Sequence, residues 1–173
     1  MFGVGDLVVY PAQGVGKIEN IDQKAVGDES CAFYIVRILS NDITLMVPVN
    51  NASNVGLRAL TSCEHARNIL DGFADDGTFS RYTGQNWNRR YREYTERLKS
   101  SKLEDVANVL HELLLIGRGK ELSFGERRLL EQAMSLVSGE LAIVLNNSEQ
   151  IVRETIQQAF VLPELQENSM KPE

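Results

Sequence analysis

The sequence is poor in the residue types that build most small active sites. Its 173 residues include two cysteines, two histidines, four prolines and one tryptophan. Cys31 and Cys63 share no CxxC spacing, which excludes a disulfide framework and a cysteine-based zinc site. Neither has a basic neighbour in sequence, so inert thiols in a reducing cytoplasm are expected. His65 and His111 each stand alone, with no HExxH and no second ligand. A surface or packed histidine is therefore expected at both, and no metal. No Ser/His/Asp or Cys/His constellation is in view, so neither an enzyme nor a cofactor is expected. No apolar run nears the roughly 20 residues that cross a bilayer, so no membrane partner is expected. MFGVGDLVVYP has no basic region ahead of an apolar one, so it does not read as a secretory signal. The string GVGDLVVYPAQGVG lacks the lysine and hydroxyl of a P-loop and opens no helix. Its glycines read as strand and turn residues, not as a phosphate cradle.

What remains is enough to fold. Hydrophobic residues make up 43%, which supports a core and excludes general disorder. The net charge of −6 is unevenly spread. Residues 1–80 carry 5 Lys/Arg against 10 Asp/Glu, residues 81–102 carry 7 against 2, and residues 103–173 carry 6 against 12. One short basic island thus lies in an acidic protein. Such a chain binds free DNA poorly, because affinity for phosphates depends on neutralising cations. The island can still hold DNA if a partner delivers the protein there.

The two halves differ in texture. Residues 7–11 (LVVYP), 15–21, 32–39 and 43–49 (ITLMVPV) are rich in β-branched and aromatic residues. Turn chemistry separates them at 11–14, 26–30 and 40–42, and NVGLR (54–58) offers a fifth strand. This pattern predicts a small, bent antiparallel β-barrel of Tudor or SH3 type over 1–60. From residue 61 the apolar period lengthens to that of a helix. Thr61-x-x-Glu64, Ser101-x-x-Glu104 and Ser123-x-x-Glu126 read as capping boxes. Five helices are expected near 62–73, 86–100, 102–116, 124–145 and 148–161, with a loop at 74–83. Gly117 and Gly119 are expected to cap the third as left-handed residues. The fold class is thus α+β in two domains, the second a compact all-α domain over 61–162. A polar, frayed tail is expected over 163–173.

Two features stand out as surfaces. In ITLMVPV, alternation puts Ile43, Leu45, Val47 and Val49 on one face and Thr44, Met46 and Pro48 on the other. Pro48 cannot donate a ladder bond, which suits an edge strand. An edge with outward Met and Pro suits docking of a partner strand. It also suits a blunted edge with a lone exposed methionine. The second feature is NWNRRYREYTERLK (86–99). Tyr91, Tyr94 and Leu98 fall at the spacing of a helix anchor. Trp87 sits at the helix start among Arg89, Arg90 and Arg92. Arginines and a helix N-terminus hold phosphates, and an indole stacks on or wedges between bases. The alternative is a core tryptophan beneath a solvated Arg/Glu face.

VGDLVVYPAQGVGKI, FYIVRIL, LMVPVNNASNVGLR, NWNRRYREY and LSFGERRLLEQAMSLVSGELA occur in that order. Together they resemble the CarD/CdnL family of bacterial RNA polymerase-binding transcription regulators, over roughly residues 2–145. The resemblance implies a Tudor-like domain that docks on the polymerase β subunit, similar to one in the transcription-repair coupling factor. It implies a helical domain that contacts promoter DNA near the −10 element, at the upstream edge of the bubble. There Trp87 corresponds to a minor-groove wedge, and Arg89 and Arg90 to the residues that hold the backbone. Met46, Pro48 and Lys24 correspond to polymerase contacts, although some members carry arginine where this chain has Met46. A non-enzymatic monomer acting in the bacterial cytoplasm, at the nucleoid through the polymerase, is what the resemblance implies. The rival expectation is a protein adaptor with Trp87 buried. A small hydrolase finds no catalytic constellation.

Overall fold

The computed structural model of the chain describes residues 1–75, 78–79 and 86–169, with side chains described up to Ala159. The expected loop at 74–83 lies in part outside the described residues, as does the end of the expected tail. Five strands precede five helices: β1 (Leu7–Tyr10), β2 (Gly14–Val26), β3 (Glu29–Ile38), β4 (Thr44–Pro48) and β5 (Arg58–Ala59), then α1 (Cys63–Gly72), α2 (Trp87–Leu98), α3 (Leu103–Gly119), α4 (Phe124–Val144) and α5 (Glu149–Ser169). The chain divides into two compact units. One holds Met1–Leu60 with Lys99–Ser101, the other Thr61–Leu98 with Lys102–Glu173.

In the first unit the strands form one antiparallel sheet in the order β4-β3-β2-β1-β5. The fold is α+β, with a Tudor-like N-terminal sheet. Strands β2 and β3 run further than the composition indicates, and the expected 26–30 turn shrinks to two residues. Val26 pairs with Glu29, and Gly27 takes φ +66 in the loop between them. Two-residue hairpin loops require such a positive φ, which glycine adopts without strain. A register shift between Ile18 and Asn20 bends β2. NVGLR contributes less than expected: only Arg58 and Ala59 pair, with Val9 and Val8. Gly56, at φ +84, turns the chain just before them. Val8, Ile18, Tyr34, Val36 and Ile38 fill the core on one face of the sheet. Each such buried side chain stabilises the fold by about 1.5–3 kcal/mol.

In the second unit, α3 packs against both α2 and α4, and α4 packs against α1 and α5. Leu110 and Leu113 of α3 and Val137 and Leu141 of α4 are fully buried at its centre. His111 is buried too, with its ring 4.9 Å from that of Phe79, so it is a packed histidine. One of the three expected capping boxes forms. Ser123 Oγ accepts from the Glu126 amide, and Glu126 Oε2 accepts from the Ser123 amide. The other two are out of phase by one residue. Helix α1 is capped by Ser62, which accepts from the His65 amide, so Glu64 falls one position short. Helix α3 starts after Lys102, which places Ser101 outside the cap.

Two further expectations change. Gly117 and Gly119 lie within α3, neither with a positive φ, and the helix ends at Lys120 in extended backbone. The stop is supplied by Lys120, not by left-handed glycines. Helix α5 continues beyond Pro163 to Ser169, where the polar tail was expected to fray. Glu, Leu and Gln after the proline are all good helix formers.

Candidate functional site

The outer face of the first unit follows from alternation. With Tyr34 and Val36 inward, Phe33 and Ile35 of β3 point outward. The register aligns Ile35 with Met46 and Phe33 with Pro48 on β4, and Lys24 with Cys31 across β2 and β3. Met46 is 46% exposed, whereas Val47 beside it is buried. Pro48 is partly buried and Lys24 exposed. Lys24 Nζ donates to Met46 Sδ at 3.6 Å, which brings these two sequence-chosen residues together. Strand β4 is an edge of the sheet, as the missing Pro48 donor requires. Arg37 flanks the apolar face, held by Glu19 at 2.8 Å and Asp42 at 2.9 Å. The hydrogen bond to Glu19 first, and then that to Asp42, raises its pKa. Phe33 and Ile35 had not been selected from the sequence. Their signal was the strict alternation of AFYIVRIL, which sends every second residue away from the core.

In the second unit, Asn86 Oδ1 accepts from the Arg89 amide at 3.1 Å, so Asn86 caps α2 and Trp87 is its first residue. Tyr94 and Leu98 are buried and anchor the helix. Tyr91, expected with them, is 47% exposed, and its ring lies 5.6 Å from that of Trp87. Trp87, Tyr94 and Leu98 already occupy the inward stripe, which leaves Tyr91 at its margin. Trp87 is half-buried. It packs on the edge of the helical core and keeps part of its surface in solvent.

The start of α4 meets that ring. A Cβ on Gly125 would stand 2.9 Å from Trp87 Cζ2. The Arg90 guanidinium lies 5.6 Å from the Trp87 ring centroid and donates to Glu126 Oε1 at 3.0 Å. Glu126, with 1% exposure, also accepts from Lys120 Nζ at 3.1 and 3.2 Å. Burial acts to raise the pKa of Glu126, but the Ser123 amide, Lys120 and Arg90 outweigh it and hold the carboxyl below its usual range. Beneath this pair, burial and then the nearby Glu112 charge push the Tyr94 hydroxyl well above its ordinary pKa.

Arg89 and Arg92 are exposed, whereas Arg90 is turned toward Glu126. Phe124 is 77% exposed, and Arg127 and Arg128 on α4 are exposed beside it. The sequence reading missed these three, although LSFGERRL shows an aromatic and two arginines in the first turns of a helix. Such a surface offers cations and a partly free indole to a polyanion with bases. Among the described residues no group of three His, Cys, Asp or Glu could hold a metal ion, and no helix is long and apolar enough to cross a membrane.

The comparisons with known proteins agree with this layout. The CarD-like/TRCF RID domain matches residues 2–61, and the CarD C-terminal domain matches residues 77–157. The chain is 27% identical over 153 residues to a Bacillus subtilis (strain 168) protein described as "Putative transcription factor YdeB", across 88% of this chain and 98% of that protein. It also resembles a solved structure described as "CdnLNt from Myxoccoccus xanthus", with 42% identity and a TM-score of 0.31, over 36% of this chain and 87% of that one. With the two CarD domains in order on a sheet unit and a helical unit, the chain belongs to the CarD/CdnL family and is a CarD-like transcription factor.

Proposed function

We propose that this CarD-like factor docks on the RNA polymerase β subunit and stabilises the open promoter complex. Docking uses the outer face of the sheet, with Met46, Pro48 and Lys24 joined by Phe33 and Ile35. An apolar strand edge with a cation beside it suits a partner strand that carries a carboxylate. DNA contact uses Trp87 at the upstream edge of the bubble, with phosphates held by Arg89 and Arg92 and by Arg127 and Arg128 on α4. The family indicated is a non-catalytic one, and neither ATP nor metal enters this reading.

The observation that carries the proposal is the half-buried Trp87 at the first position of α2, with exposed arginines on its own helix and on α4. An indole that keeps part of its surface in solvent among cations is able to wedge into a distorted base step. Half-burial also speaks against the adaptor reading, which needs the ring buried. The test is retention of the protein on RNA polymerase, followed by the lifetime of the open complex on a promoter. Retention with a longer lifetime is expected. A protein that stays off the polymerase, or that binds and leaves the lifetime unchanged, is the contrary result.

A further inference from the structure

We infer that Gly125, Glu126 and Arg90 form a seat that fixes the direction of the Trp87 ring, with Arg90 a positioning residue and not a phosphate contact. The inference rests on the reading of Trp87 as the DNA contact. It concerns how that ring is presented.

Gly125 carries the first part of the case. It is the second residue of α4 and has no positive φ, so backbone geometry does not call for glycine. Glycine inside a helix is less stable than alanine there. The reason for it is lateral. Its missing Cβ would stand 2.9 Å from Trp87 Cζ2 and 3.6 Å from Cη2, so the six-membered ring lies over a bare backbone. Arg90 carries the second part. Its guanidinium is placed against the indole, 5.6 Å from the centroid, while its Nη2 is tied to Glu126. Its side chain is only 18% exposed, which suits a clamp more than a reach toward a phosphate. Glu126 is itself held from other sides, since Ser123 and Lys120 also donate to its carboxylate. Tyr91 lies against the ring as well. A ring held in this way enters a base step with little conformational freedom left to lose, which is what preorganisation contributes to binding.

The test is Gly125→Ala in the full chain. Alanine favours the helix but its methyl displaces the packed ring, so the melting temperature is expected to fall by only a few degrees, less than in Trp87→Ala. The near-ultraviolet circular dichroism of the sole tryptophan is expected to change in the free protein. The open-complex lifetime is expected to fall part of the way to that of Trp87→Ala. A second variant, Arg90→Met, is expected to change the tryptophan signal and shorten the lifetime, yet leave the salt dependence of DNA binding as in the wild type. Loss of a phosphate contact would instead lower that slope by about 0.9. The inference is overturned if Gly125→Ala leaves the tryptophan signal and the lifetime unchanged, or if Arg90→Met lowers the slope by one contact. Trp87→Ala separates the two claims. If its lifetime equals the wild type, Trp87 is not the DNA contact, and the dichroism of Gly125→Ala still decides whether the seat exists.

Discussion

Replacing Trp87 with alanine divides stability from function in one protein. The ring is half-buried on the edge of the helical core and packed against Gly125, Tyr91 and Arg90. A fully buried tryptophan costs about 3–5 kcal/mol on truncation to alanine. Trp87 is only partly exposed, so its truncation is expected to fall at or just below the low end of that range, about 2–3 kcal/mol, or a fall of roughly 8–15 °C in the melting temperature of a unit of this size. The helix survives, because Tyr94 and Leu98 remain in place with 1% and 2% exposure. Polymerase docking survives, because the sheet unit is untouched. Open-complex lifetime falls by the lost stacking of about 1–3 kcal/mol, which is about fivefold to 150-fold. The assays are a thermal melt and the decay of promoter complexes after a competitor is added, at a temperature where the variant is folded. An unchanged decay rate would refute the wedge. A loss of stability above this range, with normal decay, would make Trp87 a core residue and favour the adaptor.

The remaining predictions address the other surfaces. Met46→Asp places a carboxylate where Lys24 Nζ now meets Met46 Sδ, so it removes an apolar contact and neutralises the nearby cation. Polymerase affinity is expected to drop at least tenfold, or about 1.4 kcal/mol, with the sheet still folded by circular dichroism; unchanged affinity removes this face from the docking scheme. Free DNA is expected to bind weakly, with the affinity falling steeply in salt, because the basic island is opposed by acidic flanks. The charge reversals Arg89→Glu and Arg92→Glu are each expected to flatten that dependence in a titration against salt, and an unaltered slope would contradict their role. Glu126 has its pKa lowered in the folded state, so its stabilising effect is present above the ordinary value of 4.5 and disappears as pH falls through the folded value. Glu126→Gln is expected to remove part of the acid loss of stability below pH 4.5, read from melts at a series of pH values; an acid limb identical to the wild type would contradict this.

Much of the fold was legible because its causes are local. Alternation around Val47 and the missing donor of Pro48 defined an edge strand with Met46 outward, and the sheet order places β4 at an edge. Ser123 and Glu126 are spaced to cap a helix, and they do. What eluded the sequence depended on where a helix starts or on who its neighbour is. A shift of one residue at the start of α1 and α3 was enough to void two capping boxes. Arg90 looks identical to Arg89 in the string NWNRRY. Only the approach of α4 distinguishes them, by placing a buried carboxylate within 3.0 Å of one and not the other. The same approach explains Gly125, whose purpose cannot be seen without the ring beside it.

The charge pattern and the seat of Trp87 lead to one thermodynamic arrangement. A protein of net charge −6 with a single basic island gains little from duplex DNA in solution, so it does not compete for the bulk of the chromosome. Held on the polymerase as proposed, the same island would face promoter DNA at a high effective concentration, where weak contacts suffice. Contacts to phosphates shift nothing between closed and open DNA in so far as both states offer them equally. A wedge is different, because it gains only where bases are unstacked or a groove is opened. On the proposed reading, selectivity for the open complex therefore lies with Trp87 and whatever fixes its direction. In this scheme arginines such as Arg89 and Arg92 would set how firmly the helical unit is held, and the ring which state of the promoter is favoured. This division is why a change at Gly125, which bears no side chain and only seats the ring, is expected to act on lifetime and not on docking.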